Sequence, residues 1–143
     1  MHALIIEDEV LIAALIEDSL RAFGFSTFDW AVSEEQAVAF ATARCPDLIT
    51  ADNRLSGGCG VSAVLTICER TPIPVLFVVA DTADVLDVLP SAIVVCKPFE
   101  RDSLRQAVGE ALLTSQAEAP VFSQFATSSA GDHAARGVSP LLV

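Results

Sequence analysis

Short apolar runs alternate with helix-period segments from the first residues of this chain to about position 113, and that alternation restricts the fold more than any other feature. Five runs read as strands: 2-7 (HALIIE), 25-31 (FSTFDWA), 47-52 (DLITAD), 73-80 (IPVLFVVA) and 92-96 (AIVVC). Four are nearly continuous aliphatic stretches, as expected for parallel strands covered by helices on both faces. The second differs: Ser26, Phe28 and Trp30 alternate with Phe25, Thr27 and Asp29, which suits an edge strand.

The segments between them have helix signals. In DEVLIAALIEDSLRAFG, Ile12, Ile16, Leu20 and Phe23 form an apolar stripe, and Gly24 stands where a C-terminal cap belongs. SEEQAVAFATARC opens with a capping box, Ser33 with Gln36, and is stopped by Pro46. VSAVLTICER follows a glycine-rich loop and ends before Pro72; DTADVLDVLP is short, about two turns. ERDSLRQAVGEALL carries Leu104, Val108, Ala111 and Leu112 on one side. Strict alternation of five strands and five helices predicts an α/β fold, a doubly wound five-stranded parallel sheet of flavodoxin-like order 2-1-3-4-5 with a short fourth helix. The domain is read as 1-113. Residues 114-143, rich in Ala, Ser, Gly and Pro without a sustained period, are read as a flexible tail, with Phe122, Phe125 and the terminal LLV as alternative docking elements.

A chain of 143 residues supports one good core. No apolar run approaches a membrane span, and MHALIIEDE lacks a basic n-region, so the expected location is cytoplasmic. The net charge of -11 argues against binding nucleic acid or anionic membrane. Cys45, Cys59, Cys68 and Cys96 form no C-x-x-C pair and have no neighbouring histidine, so they read as free thiols rather than a zinc site.

In this topology ligands bind beyond the carboxyl ends of the strands, where strand order reverses. Strand 1 ends in Glu7, Asp8 and Glu9, strand 3 in Asp52, strand 4 in Val79-Ala80-Asp81 and strand 5 in Lys97, the single lysine of a chain with seven arginines. Singly, the acids could complement a helix N-terminus, Asp52 could sit in a turn and Lys97 could be a solvated cation. Together they fall on one rim. Strands 1 and 3 are neighbours at ~4.8 Å, and strand 5 lies roughly 10 Å from strand 3, within reach of an extended lysine. Clustered carboxylates demand a cation, and Mg2+, which takes hard oxygen ligands, is the natural one. A carboxylate beside Mg2+ and an ammonium can act as a nucleophile toward a phosphoryl group, forming an aspartyl phosphate.

These residues resemble the receiver domain of two-component response regulators over about 1-113. ALIIEDE is similar to the family's opening strand and acidic pair, which implies Glu7 and Asp8 as magnesium ligands, Asp8 directly and Glu7 through water. PDLITADNRLSGGCG resembles the phosphoacceptor strand and loop, which implies Asp52 as the phosphorylated residue and the backbone carbonyl of Arg54 as a further ligand. CKPF resembles the lysine-proline signature, which implies Lys97 as the phosphoryl counter-charge and a cis peptide to Pro98. The implied partners are a histidine kinase or phosphotransfer protein, and a downstream protein.

Two departures stand beside these matches. Val79 occupies the switch position where the family usually has Thr or Ser, and Val94 the second switch position, usually aromatic. A hydrogen bond to a charged group is worth ~1.5-3 kcal/mol, so losing that hydroxyl removes around one to two decades of coupling to an active state. The short fourth helix is similar to an atypical subgroup of receivers linked to bacterial general-stress signalling. The leading expectation is a single-domain receiver that takes phosphate on Asp52 and works by protein contacts, catalysing nothing beyond its own phosphorylation and dephosphorylation. A receiver-like adaptor independent of phosphorylation is the second. A magnesium-dependent phosphatase is the third, disfavoured because Arg54 stands where a second acid would be expected.

Overall fold

A computed structural model describes residues 1-117. The elements are β1 (His2–Ile6), α1 (Val10–Arg21), β2 (Thr27–Ala31), α2 (Glu34–Ala43), β3 (Leu48–Ala51), α3 (Gly60–Cys68), β4 (Val75–Val79), α4 (Ala83–Leu86), β5 (Ile93–Cys96) and α5 (Arg101–Ala117). All sheet pairings are parallel and the strand order is β2-β1-β3-β4-β5, as the alternation predicts.

The two-residue period of each strand divides the core between the sheet's faces. Leu4, Ile6, Ile49, Ala51, Phe77 and Val79 face α2 and α3, joined by Val85 and Leu89 from the α4 region. Ala3, Ile5, Leu48, Leu76, Val78 and Val95 face α1 and α5, where Ile16, Leu20, Leu104 and Val108 close the other layer. β1, β3 and β4 are buried throughout, which explains their aliphatic composition; β2 is partly exposed, as its alternation indicates.

The helix ends follow local chemistry. The Ser33 hydroxyl accepts from the Gln36 N–H at 3.2 Å, and Gln36 Oε1 accepts from the Val32 N–H at 2.9 Å, one residue further back than a standard capping box. At the end of α1, Gly24 adopts φ +94° and the Phe25 N–H donates to the Leu20 carbonyl, a left-handed cap. α4 is shorter than the segment 81-90 read from sequence, though 3₁₀-like and i→i+4 bonds from Val88 and Leu89 to the Val85 carbonyl continue the coil. α5 continues through Ala117, past the 113 boundary; the remainder of the segment read as a tail, with Phe122, Phe125 and the terminal LLV, lies outside the described residues. Among the described residues, no helix is long and apolar enough to cross a membrane.

Gly60 joins the strand layer to the helix layer at the site's edge. Its N–H donates to the Asn53 carbonyl at 2.9 Å, the Asn53 side chain accepts from the Val61 N–H at 3.1 Å, and a Cβ on Gly60 would overlap the Asp52 carbonyl oxygen. Gly109, within α5, is different: an added methyl would meet the Phe23 ring at 3.9 Å, ordinary contact. Gly60→Ala is therefore expected to destabilise the fold by about 1-3 kcal/mol. Gly109→Ala should stabilise it by about 0.5-1 kcal/mol through helix propensity. Urea unfolding of both variants checks the opposite signs.

Candidate functional site

Because the strands are parallel, their carboxyl ends share one rim. Ile6 is in register with Ala51, so the residues that follow, Glu7 and Asp52, emerge side by side. Their backbones remain tied to the sheet: the Asp52 N–H donates to the Ile6 carbonyl and the Glu7 N–H to the Ala31 carbonyl, each at 2.9 Å. On β5's side the Lys97 N–H donates to the Val79 carbonyl at 2.8 Å, and the Lys97-Pro98 peptide is cis, as the resemblance implies.

The Lys97 side chain crosses β4 to reach the acids. Its Nζ lies 3.0 Å from Asp52 Oδ2, 2.9 Å from Glu9 Oε1 and 3.1 Å from Glu7 Oε1. The Glu7 side chain is 1% exposed and that of Asp52 9%, so these charges are poorly hydrated. Glu7 Oε2 accepts from the Glu9 N–H at 3.2 Å and from Lys97 at 3.3 Å. Glu7 Oε1 touches the ammonium but lies outside its hydrogen-bonding direction, which leaves a buried oxygen without a donor.

Burial is the main force on Glu7's protonation. It pushes the carboxyl from an ordinary 4.5 up to about 7, with Asp52's negative charge adding to the effect and Lys97 opposing it. For Lys97 burial acts downward, yet hydrogen bonds to Glu9, Asp52 and Glu7 outweigh it and hold the ammonium above its ordinary range. One cation therefore serves three carboxylates, and the balance is left short of positive charge.

Carboxylate oxygens of Glu7, Asp8 and Asp52 all lie within 4.8 Å of one another. Three carboxylates, each offering a hard oxygen, form a donor set that suits a hard divalent cation, and no histidine or cysteine belongs to the cluster. Asp8 is oriented by Ser56, whose N–H and Oγ both donate to Asp8 Oδ2, at 3.0 and 2.9 Å.

The remaining residues singled out from sequence lie around this pocket. Arg54 stands two residues beyond Asp52; its guanidinium turns to α4, bonding Asp84 at 2.7 and 3.2 Å with Asp81 at 3.9 Å. The Asp84 hydrogen bond, then its charge, raises the guanidinium's proton affinity. Val79 is 1% exposed and closes β4 opposite Cys96; Val94 pairs with Phe77 and is half-buried against the α2/α3 layer. Both side chains lack a hydrogen-bonding atom. Sequence reasoning placed Glu9 at the strand end without its bond to Lys97, and it did not find Ser56, Glu34 or Asp84. Adjacent glycines at 57 and 58 were the signal available for the Ser56 loop; the Arg54-Asp84 pair, 30 residues apart, left none.

The fold and site together define a parallel-sheet protein with an acidic pocket and an opposed lysine at the strands' carboxyl ends. The family model described as response regulator receiver domain matches residues 3-109, and the chain belongs to that family, whose members act in two-component signalling. It is 32% identical over 117 residues to the phyllosphere-induced regulator PhyR of Methylorubrum extorquens, a match covering 79% of this chain and 44% of that protein. The chain thus spans less than half the length of that relative. The solution structure of the Erythrobacter litoralis PhyR receiver domain superposes with a TM-score of 0.72 at 32% identity, over 78% of this chain and 89% of that one. The anti-anti-sigma factor PhyR from Bartonella quintana gives 0.70 at 31% identity, over 81% and 49%.

A carboxyl held near 7 in the folded state and near 4.5 when unfolded carries a proton preferentially in the folded state between those values. Its penalty is absent below about pH 4.5, builds through the window, and is complete above 7. Glu7→Gln should therefore match the wild type near pH 4.5 and exceed it at pH 8 by up to about 3 kcal/mol. Urea unfolding with a chelator present checks this; a difference that does not vary with pH contradicts it.

Proposed function

We propose that this receiver accepts a phosphoryl group on Asp52 from a histidine kinase or phosphotransfer protein, as one step of a cytoplasmic phosphorelay, and acts through protein contacts. The observation that carries the reading is the ammonium of Lys97 held 3.0 Å from Asp52 Oδ2 in a poorly hydrated, acid-lined pocket. An Asp52 oxygen attacks phosphorus as the phosphorus-nitrogen bond of the donor's phosphohistidine breaks, and the histidine nitrogen keeps the bonding pair. Lys97 then faces the new phosphoryl oxygens as a compact point charge.

Asp8, Asp52, the Arg54 carbonyl and, through water, Glu7 would hold Mg2+, whose double charge offsets the crowded negative charge of acids and phosphoryl group. A chelator should abolish transfer. Relatives named as anti-anti-sigma factors support a protein as the downstream partner, and the net charge of -11 supports contacts with neither nucleic acid nor anionic membrane. The chain's catalysis is confined to its own phosphorylation and dephosphorylation; a phosphatase acting on external esters is disfavoured by Arg54 in place of a second acid.

Val79 and Val94 favour a second reading, an adaptor whose partner affinity is independent of phosphorylation. Beryllofluoride, a phosphoryl mimic, separates the two. A change of partner affinity by about tenfold, equivalent to about 1.4 kcal/mol, supports a working switch, and equal affinity supports the adaptor. Phosphorylation itself is tested with Mg2+ and a small phosphodonor or cognate kinase, read by intact mass. The wild type should gain one phosphoryl group and Asp52→Asn none; transfer to that variant, or none to the wild type, contradicts the proposal.

A further inference from the structure

Asp8 is held differently from its neighbours in the pocket. Lys97 bonds Glu7 and Asp52, whereas Asp8 Oδ2 takes both of its donors from Ser56. Two donors on one oxygen fix the rotation of the carboxylate, so the position of Ser56 sets the orientation of Asp8. Ser56 itself is exposed, in the loop between β3 and α3, and belongs to neither element.

Glu34, the first residue of α2, ties that loop from outside the pocket. Its N–H donates to the Gly57 carbonyl at 2.8 Å. Its Oε1 accepts from the Cys59 N–H at 3.1 Å and its Oε2 from the Ser62 hydroxyl at 2.6 Å. Gly58, at φ +99°, passes so close that a Cβ there would lie 2.6 Å from Glu34's own Cβ. The positive φ and the close approach both require glycine at this point. One half-buried side chain therefore grips the C-terminal flank of the loop while its backbone grips the middle.

We propose that Glu34 is a positioning residue of the phosphoacceptor pocket: by fixing the loop 56-59 it holds Ser56 on Asp8, and through Ser56 it orients the acid that would receive the cation. The inference rests on the magnesium-dependent reading of the site. Glu34 acts through two intermediaries and touches neither the acids nor Lys97 in the contacts described. Its two oxygens accept from an N–H and an O–H at once. Glutamine retains one acceptor oxygen and can keep the Cys59 bond; alanine keeps neither.

The test combines amide exchange of the metal-free full chain, by NMR, with a magnesium titration. Without metal, the Ser56 amide should be protected in the wild type and in Glu34→Gln, and should exchange faster in Glu34→Ala. With metal, Glu34→Ala should weaken magnesium binding by about 3-10-fold, less than the loss typical of groups bonded directly to a ligand, and Glu34→Gln by less than about twofold. Adding Ser56→Ala to Glu34→Ala should produce no further loss, since both act through one link, and Glu35→Ala, on the exposed face of α2, should change neither measurement. Unchanged Ser56 exchange in Glu34→Ala overturns the proposal whatever magnesium does. Unchanged magnesium affinity in that variant, in a protein whose Asp8→Asn form no longer binds, overturns it while leaving the phosphoacceptor reading intact. A wild type that binds no magnesium overturns both.

Discussion

The pocket depends on a charge imbalance whose centre, Glu7 and Asp52, is held out of water while Glu9 remains exposed. Glu7, Asp52 and Glu9 share the ammonium of Lys97, and Asp8 adds a further carboxylate whose donors are neutral. In water such a cluster would relax by separating its charges. Here it cannot, because Glu7 and Asp52 begin where two adjacent strands end and their backbone N–H groups are committed to the sheet. The hydrophobic layers that fix the strands are therefore also what hold like charges together. Glu7's raised proton affinity comes first from its burial, and the charge of Asp52 held beside it adds to the effect.

Much of this was legible in the sequence, because a parallel sheet converts order along the chain into position in space. Once the aliphatic runs are assigned as strands in the order 2-1-3-4-5, the residues ending strands 1, 3 and 5 must share a rim, and Lys97 is the single lysine available to it. The loops carry no such rule. Ser56 on Asp8 and Glu34 on Cys59 and Ser62 depend on the path of a glycine-containing loop between β3 and α3, and the closeness of Glu34 to Gly58 has no periodic signature. Element ends were blurred for similar reasons. Phe25, read as strand, instead closes the cap of α1, and Pro74 has no N–H to give to the ladder, so β4 begins at Val75.

Val79 shows how a strand position can keep one role and lose another. Its side chain packs in the α2/α3 layer, and its carbonyl accepts from the Lys97 N–H, so β4 and the site lysine are joined through backbone regardless of side chain. What valine cannot supply is a rotatable donor aimed at the pocket. A threonine here would carry a hydroxyl worth ~1.5-3 kcal/mol when it bonds a charged group, and valine has none. The connection between the site and β4 therefore runs through backbone, not through the Val79 side chain.

The same comparison of magnitudes decides what positions α4. A helix of four residues gains almost nothing from its own hydrogen bonds, since nucleation consumes the advantage. The Arg54 guanidinium reaches Asp84 with good geometry, but it is open to solvent, where screening and side-chain entropy remove most of the benefit of an ion pair. Val85 and Leu89, by contrast, are fully buried, and burying a side chain of this size is worth about 1.5-3 kcal/mol. α4 is therefore placed by two apolar anchors sunk into the α2/α3 layer. The Arg54 pair with Asp84 adds a solvent-exposed contact without holding the segment in place.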